Sequence, residues 1–187
     1  VSPAAGLLAI AVLHNLTPVG FVLEATSGHR RRTAAWACLV VFAVVPLMID
    51  RVRQGLRVVR LHDGDPCLYG ALTEQICGLA DAGIDTEVVP GLSAYQATAS
   101  ALKAELTIPG LVQTIVLSRA GGRTGVPETE ALEQLARLRA SLCLYLSARH
   151  VEEVQATLLE HYPADTPVAI GYRVSWPDQW LQVVPLE

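Results

Sequence analysis

Two stretches of the chain, Val1 to Leu23 and Thr33 to Ile49, contain no formally charged residue, and the segment EATSGHRRR lies between them. Apolar helices of about 17 to 25 residues span a bilayer and cytoplasmic loops collect arginine. Residues 1–50 therefore read as an apolar helical segment, either a membrane hairpin or buried helices. A hairpin that leaves Arg30, Arg31 and Arg32 in the cytoplasm delivers everything after Ile49 to the opposite side, which counts against that reading. Pro3, Pro18 and Pro46 weaken long helices, although membranes tolerate them. No basic stretch precedes the first apolar run, which argues against a cleaved signal peptide.

From Arg51 onward short apolar runs alternate with amphipathic stretches, the pattern of an α/β domain. LRVVRL (Leu56 to Leu61) predicts a strand. Leu72, Ile76 and Leu79 then recur at helical spacing between Gly70 and Ala82, and Gly83 supplies the stop signal. IDTEVV (Ile84 to Val89) predicts a second strand, and PGLSAYQATASALK turns at Pro90-Gly91 into another helix with Ser93 placed to cap it. VQTIVLS (Val112 to Ser118) opens a second series. The glycine-rich loop of Gly121, Gly122 and Gly125 leads to a helix that begins near Pro127 and Glu128 and carries Leu132, Leu135 and Leu138. SLCLYLS (Ser141 to Ser147) predicts a strand, Val151 to Tyr162 a helix and PVAIGYRV (Pro167 to Val174) a further strand. The expected organisation is an apolar segment over 1–50, a first α/β lobe over 51–105 and a second over 106–187, with no internal repeat.

The chain of 187 residues is long enough for one or two cores, and its net charge of −4 gives no basic surface for nucleic acid. Cys38, Cys67, Cys77 and Cys143 form no C-x-x-C pair, and the five histidines show no ligand spacing, so neither a metal site nor a disulfide framework is expected. Such cysteine usage fits a reducing compartment.

Asp63-Gly64-Asp65-Pro66 stands just past the predicted strand LRVVRL, where ligands of open α/β sheets collect. A carboxylate there can accept hydrogen bonds from a ribose or an amino group, and glycine lets a backbone come close. Read locally, the same residues are ordinary turn formers. PGLSAY approaches the nucleophile elbow G-x-S-x-G, yet Tyr95 occupies the final glycine position, which disfavours a hydrolase built on Ser93. AGGRTG lacks the lysine of a phosphate-binding loop. Arg119, Arg123 and Arg173 can face an acidic ligand or simply be solvated.

Together and in this order, VVRLHDGDPCLYGALTEQI, VVPGLSAYQATASAL, TIVLSRAGGRTGVPETEAL, LCLYLSA and TPVAIGYRVSWPDQ resemble the tetrapyrrole methylase family over about residues 48 to 187. The resemblance implies a two-lobed α/β fold, S-adenosylmethionine as cofactor and a homodimer. The implied activity is C-methylation of a tetrapyrrole in cobalamin biosynthesis, at carbon 11 of precorrin-4 or its cobalt form, in the cytoplasm. By motif it assigns Asp63, Gly64, Asp65 and Leu68 to one cofactor loop and Ser93 and Ala94 to the Pro-Gly-x-Ser turn. It assigns Leu146 to the apolar position that packs the cofactor, and Arg173 and Val174 to the last cofactor-facing strand. The substrate's carboxylates give Arg119 and Arg123 a role, and no catalytic base is assigned. Family members begin with a strand and a Gly-Pro-Gly loop that Val1 to Asp50 does not show, and they continue past the SWPDQ region. The first lobe is thus expected to be incomplete, residues 1–50 are expected to stand outside the methylase cleft with a membrane contact of their own, and a membrane-tethered, inactive binding protein is the alternative.

Overall fold

Ser141–Tyr145 is buried at every position, as a strand covered on both faces must be. It lies inside a five-stranded sheet in the computed structural model of the chain, which describes residues 8–13, 44–120 and 125–187. The strands are β1 (Leu8–Leu13), β2 (Ile115–Arg119), β3 (Ser141–Tyr145), β4 (Pro167–Tyr172) and β5 (Trp180–Pro185), ordered β2-β3-β1-β4-β5. The first four run parallel, and β5 pairs antiparallel with β4 from Pro167 opposite Pro185 to Tyr172 opposite Trp180.

Leu142, Leu144, Val154, Leu158 and Val168 form the centre of the core, with Ala136 and Tyr162 packed into the same cluster. The Tyr162 hydroxyl donates to the Ala140 carbonyl at 2.9 Å, which satisfies the one polar atom this ring carries inward. Ser141 is buried as well, and its hydroxyl donates to Leu106 O at 2.6 Å.

The chain divides into two compact units, one made of Val1–His14 with Ala94–Glu187 and the other of Asn15–Ser93. Within the second unit, residues 44–53 are helical and Leu72–Asp81 is a helix that ends as its sequence predicts. Gly83 takes φ +72° there, and the Gly83 and Ile84 amides close back on Ala80 and Leu79, a turn a side chain would strain.

Several expectations are corrected. The charge-free run Val1 to Leu23 is not helical throughout: Leu8–Leu13 is the middle strand of the parallel sheet, paired to both β3 and β4. Strands inside parallel sheets read as near-continuous apolar runs, the same letters that a membrane helix uses. No helix among the described residues is long and apolar enough to cross a membrane. The hairpin with Arg30, Arg31 and Arg32 lies outside the described residues. The helix over 44–53 runs straight through the compositional break at residue 50, so that break is not a structural one. The helix Ala94–Leu102 is grouped with the five-stranded unit.

Leu56 to Leu61 and Ile84 to Val89, both expected as strands, form no ladder among the described residues. They line a common cavity of about 940 Å³. Conversely, β5 escapes the sequence reading: it is an edge strand mostly open to solvent, with only Leu181 and Val184 half-buried.

Candidate functional site

In the Asn15–Ser93 unit the acidic-glycine loop is held by its own carboxylate. Asp65 Oδ1 accepts the Cys67 amide at 2.8 Å, and Asp65 Oδ2 accepts the Gly91 amide at 3.1 Å. The first bond closes an Asx turn. The second ties this loop to the Pro90-Gly91 turn, so Asp63, Gly64, Asp65 and Leu68 are brought into one neighbourhood with the turn that carries Ser93. A Cβ on Gly91 would fall against the Gly64 carbonyl oxygen, so the two loops touch backbone to backbone and glycine is required at 91. Asp65 is thus a builder of the loop, with both oxygens engaged by protein amides. Asp63 is the exposed carboxylate, and Ser93 is buried.

The same loop concentrates backbone strain. Gly64 has φ +80°, and the non-glycine residues Tyr69 and Ala71 have φ +57° and +48°. The left-handed region costs a residue with a Cβ about 1 to 2 kcal/mol, a cost that persists mainly where a loop shape serves a purpose. The helix that follows has no capping side chain at Ala71; instead Gln75 Nε2 reaches back to Ala71 O at 2.9 Å. Gly64 and Gly91 open onto the apolar cavity, which His62 also lines. Burial first, and the Arg60 charge second, hold His62 below its ordinary value.

In the five-stranded unit the assigned residues gather at the carboxyl ends of the parallel strands. Leu146 follows β3 directly, with φ +55° and a side chain 54% exposed, although Tyr145 and Ser147 on either side are both at 3%. Ala94 begins the helix Ala94–Leu102, whose Tyr95 amide donates to the Tyr145 hydroxyl at 3.2 Å. Thr98 of that helix packs on Gly171 of β4, and Val174 approaches the same glycine, so no larger residue fits there.

Arg173 and Ser175 are left-handed too, with φ +48° and +77°. Arg173 is committed within its own hairpin: Nη1 stands 2.8 Å from Asp178 Oδ2, and the guanidinium lies over the Trp176 ring at 4.9 Å. Arg119, at the end of β2, donates from Nη2 to Gly125 O at 3.1 Å. Arg123 lies outside the described residues. No group of three or more histidine, cysteine or carboxylate side chains that could hold a metal occurs among the described residues.

The structure therefore joins the loop at 63–68 with the turn before Ser93 in one unit. In the other it brings the helix starting at Ala94 to β3 and β4. Gly91, Tyr145 and Ser147 were not singled out by the sequence. Gly91 was legible only as a turn residue, and nothing in the letters marks a tyrosine hydroxyl as the acceptor for a helix amide 50 positions away.

A mostly parallel sheet with left-handed residues just past the carboxyl ends of β3 and β4 defines an α/β protein, and the chain belongs to the tetrapyrrole (corrin/porphyrin) methylases, which it matches over residues 10–187. That match reaches into the apolar segment and so corrects its reading as foreign to the methylase. The chain is 48% identical over 136 residues to the precorrin-4 C(11)-methyltransferase of Pseudomonas aeruginosa, covering 73% of this chain and 54% of the relative. It is 46% identical over 137 residues to the cobalt-precorrin-4 C(11)-methyltransferase of Priestia megaterium, covering 73% and 53%. The X-ray structure of a cobalt precorrin-4 methyltransferase superposes with a TM-score of 0.74 at 40% identity, over 86% of this chain and 64% of that one. The chain thus spans about half the length of the curated relatives it matches.

Proposed function

We propose that this chain is part of an S-adenosylmethionine-dependent C-methyltransferase that acts on carbon 11 of precorrin-4 or its cobalt form in cobalamin biosynthesis. The observation that carries the reading is the 48% identity to the Pseudomonas aeruginosa precorrin-4 C(11)-methyltransferase. A uroporphyrin-III C-methyltransferase from Thermus thermophilus, described as complexed with S-adenyl homocysteine, superposes at a TM-score of 0.63 with 25% identity, over 78% of this chain and 64% of that one, which supports the choice of donor.

The residues present fit that donor. Its charged amino acid end and ribose hydroxyls need carboxylate and carbonyl partners, which the exposed Asp63 and the backbone carbonyls of the glycine-bordered loop offer. Its apolar surface needs a contact such as the exposed Leu146. When bound, S-adenosylmethionine supplies a methyl group already activated for transfer to a nucleophilic ring carbon. The protein's task is then to orient and to exclude water, and holding two reactants aligned contributes about 7 to 11 kcal/mol of barrier reduction. Asp65 and Gly91 keep the donor loop in shape, Ser93 and Ala94 carry the turn beside it, and Val174 closes the end of β4. Arg119 and Arg123 supply positive charge for the carboxylates of the tetrapyrrole. Arg173 serves by bracing its hairpin through Asp178 rather than by offering an open guanidinium. A homodimer belongs to the same reading.

Calorimetric titration with S-adenosylhomocysteine, paired with transfer of labelled methyl to a precorrin-4 substrate, tests the proposal. Binding with transfer supports it. Binding without transfer favours a ligand-binding derivative, and the absence of both binding and transfer overturns the proposal.

A further inference from the structure

β2 and β3 end side by side, with Arg119 paired to Tyr145 in parallel register. One residue beyond that pair, the Ala120 amide donates to Ser147 Oγ at 2.7 Å, and Ser147 Oγ in turn donates to Tyr145 O at 2.7 Å. A single buried hydroxyl thus closes a ring around Leu146 and fastens it to the neighbouring strand. Leu146 is the residue inside that ring, left-handed at φ +55° although it carries a branched side chain. The anchor on its other side is Tyr145, whose hydroxyl accepts the Tyr95 amide. Both neighbours are buried, and only Leu146 stands out toward solvent.

An apolar side chain held in an unfavourable backbone conformation by two bonds to a hydroxyl is pre-ordered before any ligand arrives. Pre-ordering strengthens binding by removing the ordering cost from the binding step. We infer that Ser147 is a positioning residue: it holds Leu146 in the left-handed conformation and thereby sets the affinity of the donor site. This rests on the proposal that Leu146 packs against the donor, and it adds a residue with no donor contact of its own. A serine one position later, or an alanine at 147, leaves the Leu146 backbone free to relax into the ordinary regions of conformation and turns its side chain away.

The test is a double-mutant cycle read by calorimetry with S-adenosylhomocysteine. Ser147→Ala in the parent is expected to weaken binding about tenfold. In a Leu146→Gly background, glycine takes the positive φ without help and has no side chain to aim. There the added Ser147→Ala should change affinity less than twofold while still lowering the melting temperature. Ser147→Cys keeps a weaker donor at the same place and should give an intermediate loss, which serves if the alanine variant does not fold. Equal losses of affinity in both backgrounds, or no loss in the parent, overturn the positioning role and leave the donor assignment intact. A parent that does not bind S-adenosylhomocysteine at all overturns the donor assignment, and the positioning role falls with it.

Discussion

The Asp65 carboxylate accepts the Gly91 amide at 3.1 Å across 26 positions of sequence, and its other oxygen accepts Cys67. An acid of the expected cofactor loop therefore spends both oxygens on shaping that loop. Asp65→Ala leaves two amides without their acceptor, and because both bonds are exposed to solvent each is worth about 1 kcal/mol. We expect a loss of about 2 kcal/mol of stability and at least a tenfold weaker S-adenosylhomocysteine complex, with Asp65→Asn in between. Urea unfolding and calorimetry on the three proteins check this; an alanine variant that matches the parent in both removes Asp65 from the site.

Gly91→Ala is expected to destabilise by about 1 to 3 kcal/mol, the range for a group forced into filled space, because the atom it meets is backbone and has nowhere to go. Gly125→Ala, with nothing within 4 Å of the added carbon, should stay within about 0.5 kcal/mol of the parent. Thermal melts of the pair decide whether the two loops touch as closely as the structure has them.

Burial pushes the Cys143 thiol up to about 12, so it stays protonated and unreactive at pH 8. Cys67 and Cys77 are exposed. Alkylation of the folded protein at pH 8, followed by peptide mass mapping, should label both exposed residues and leave Cys143 unmodified until denaturant is added. Labelling of Cys143 at the rate of Cys67 would mean that β3 is not the buried strand described.

Tyr162 is likewise pushed up to about 12 by burial, against an opposing pull from Arg139. Its folded value lies above its unfolded value near 10, so the neutral phenol is the form the fold favours. The resulting stability is present in full below pH 10 and is lost as the pH rises from 10 to 12. Tyr162→Phe should cost about 1 kcal/mol at pH 8 through the lost bond to Ala140 O, and should remove part of that alkaline decline. Denaturant midpoints at pH 8, 10 and 11.5 for both proteins measure it; parallel curves would rule out Tyr162 as the source.

The second half of the fold was largely legible. Ser141 to Ser147 and Pro167 to Val174 each contain the strand found, and Val112 to Ser118 overlaps β2 but starts three residues early and stops one short of Arg119, because a covered parallel strand is a short apolar run bounded by turn residues. Val151 to Tyr162 and Gly70 to Ala82 likewise contain their helices, overrunning them by a few residues. Leu8–Leu13 reads as helix because an uncharged apolar run is shared by membrane helices and strands of parallel sheets, and the letters do not say which. Leu56 to Leu61 and Ile84 to Val89 have strand letters, yet a strand needs a partner for its amides, and the letters do not say whether one is within reach. At the site, the sequence located the loops but not their connections. Whether Asp65 faces a ligand or Gly91, and whether Leu146 is left-handed, depends on residues that only the fold brings together.

Leu8 of β1 pairs with Val168 of β4, so the middle of the sheet closes only after nearly the entire chain is available. Translation proceeds at about 5 to 20 residues per second, so on the ribosome β1 waits on the order of ten seconds for its neighbours. Residues Asn15–Ser93 emerge in the interval and can fold while the strand that precedes them remains unmatched. Partners so distant in sequence also make refolding slow. An uncharged six-residue strand left waiting is the segment most open to capture by a chaperone or by another nascent copy.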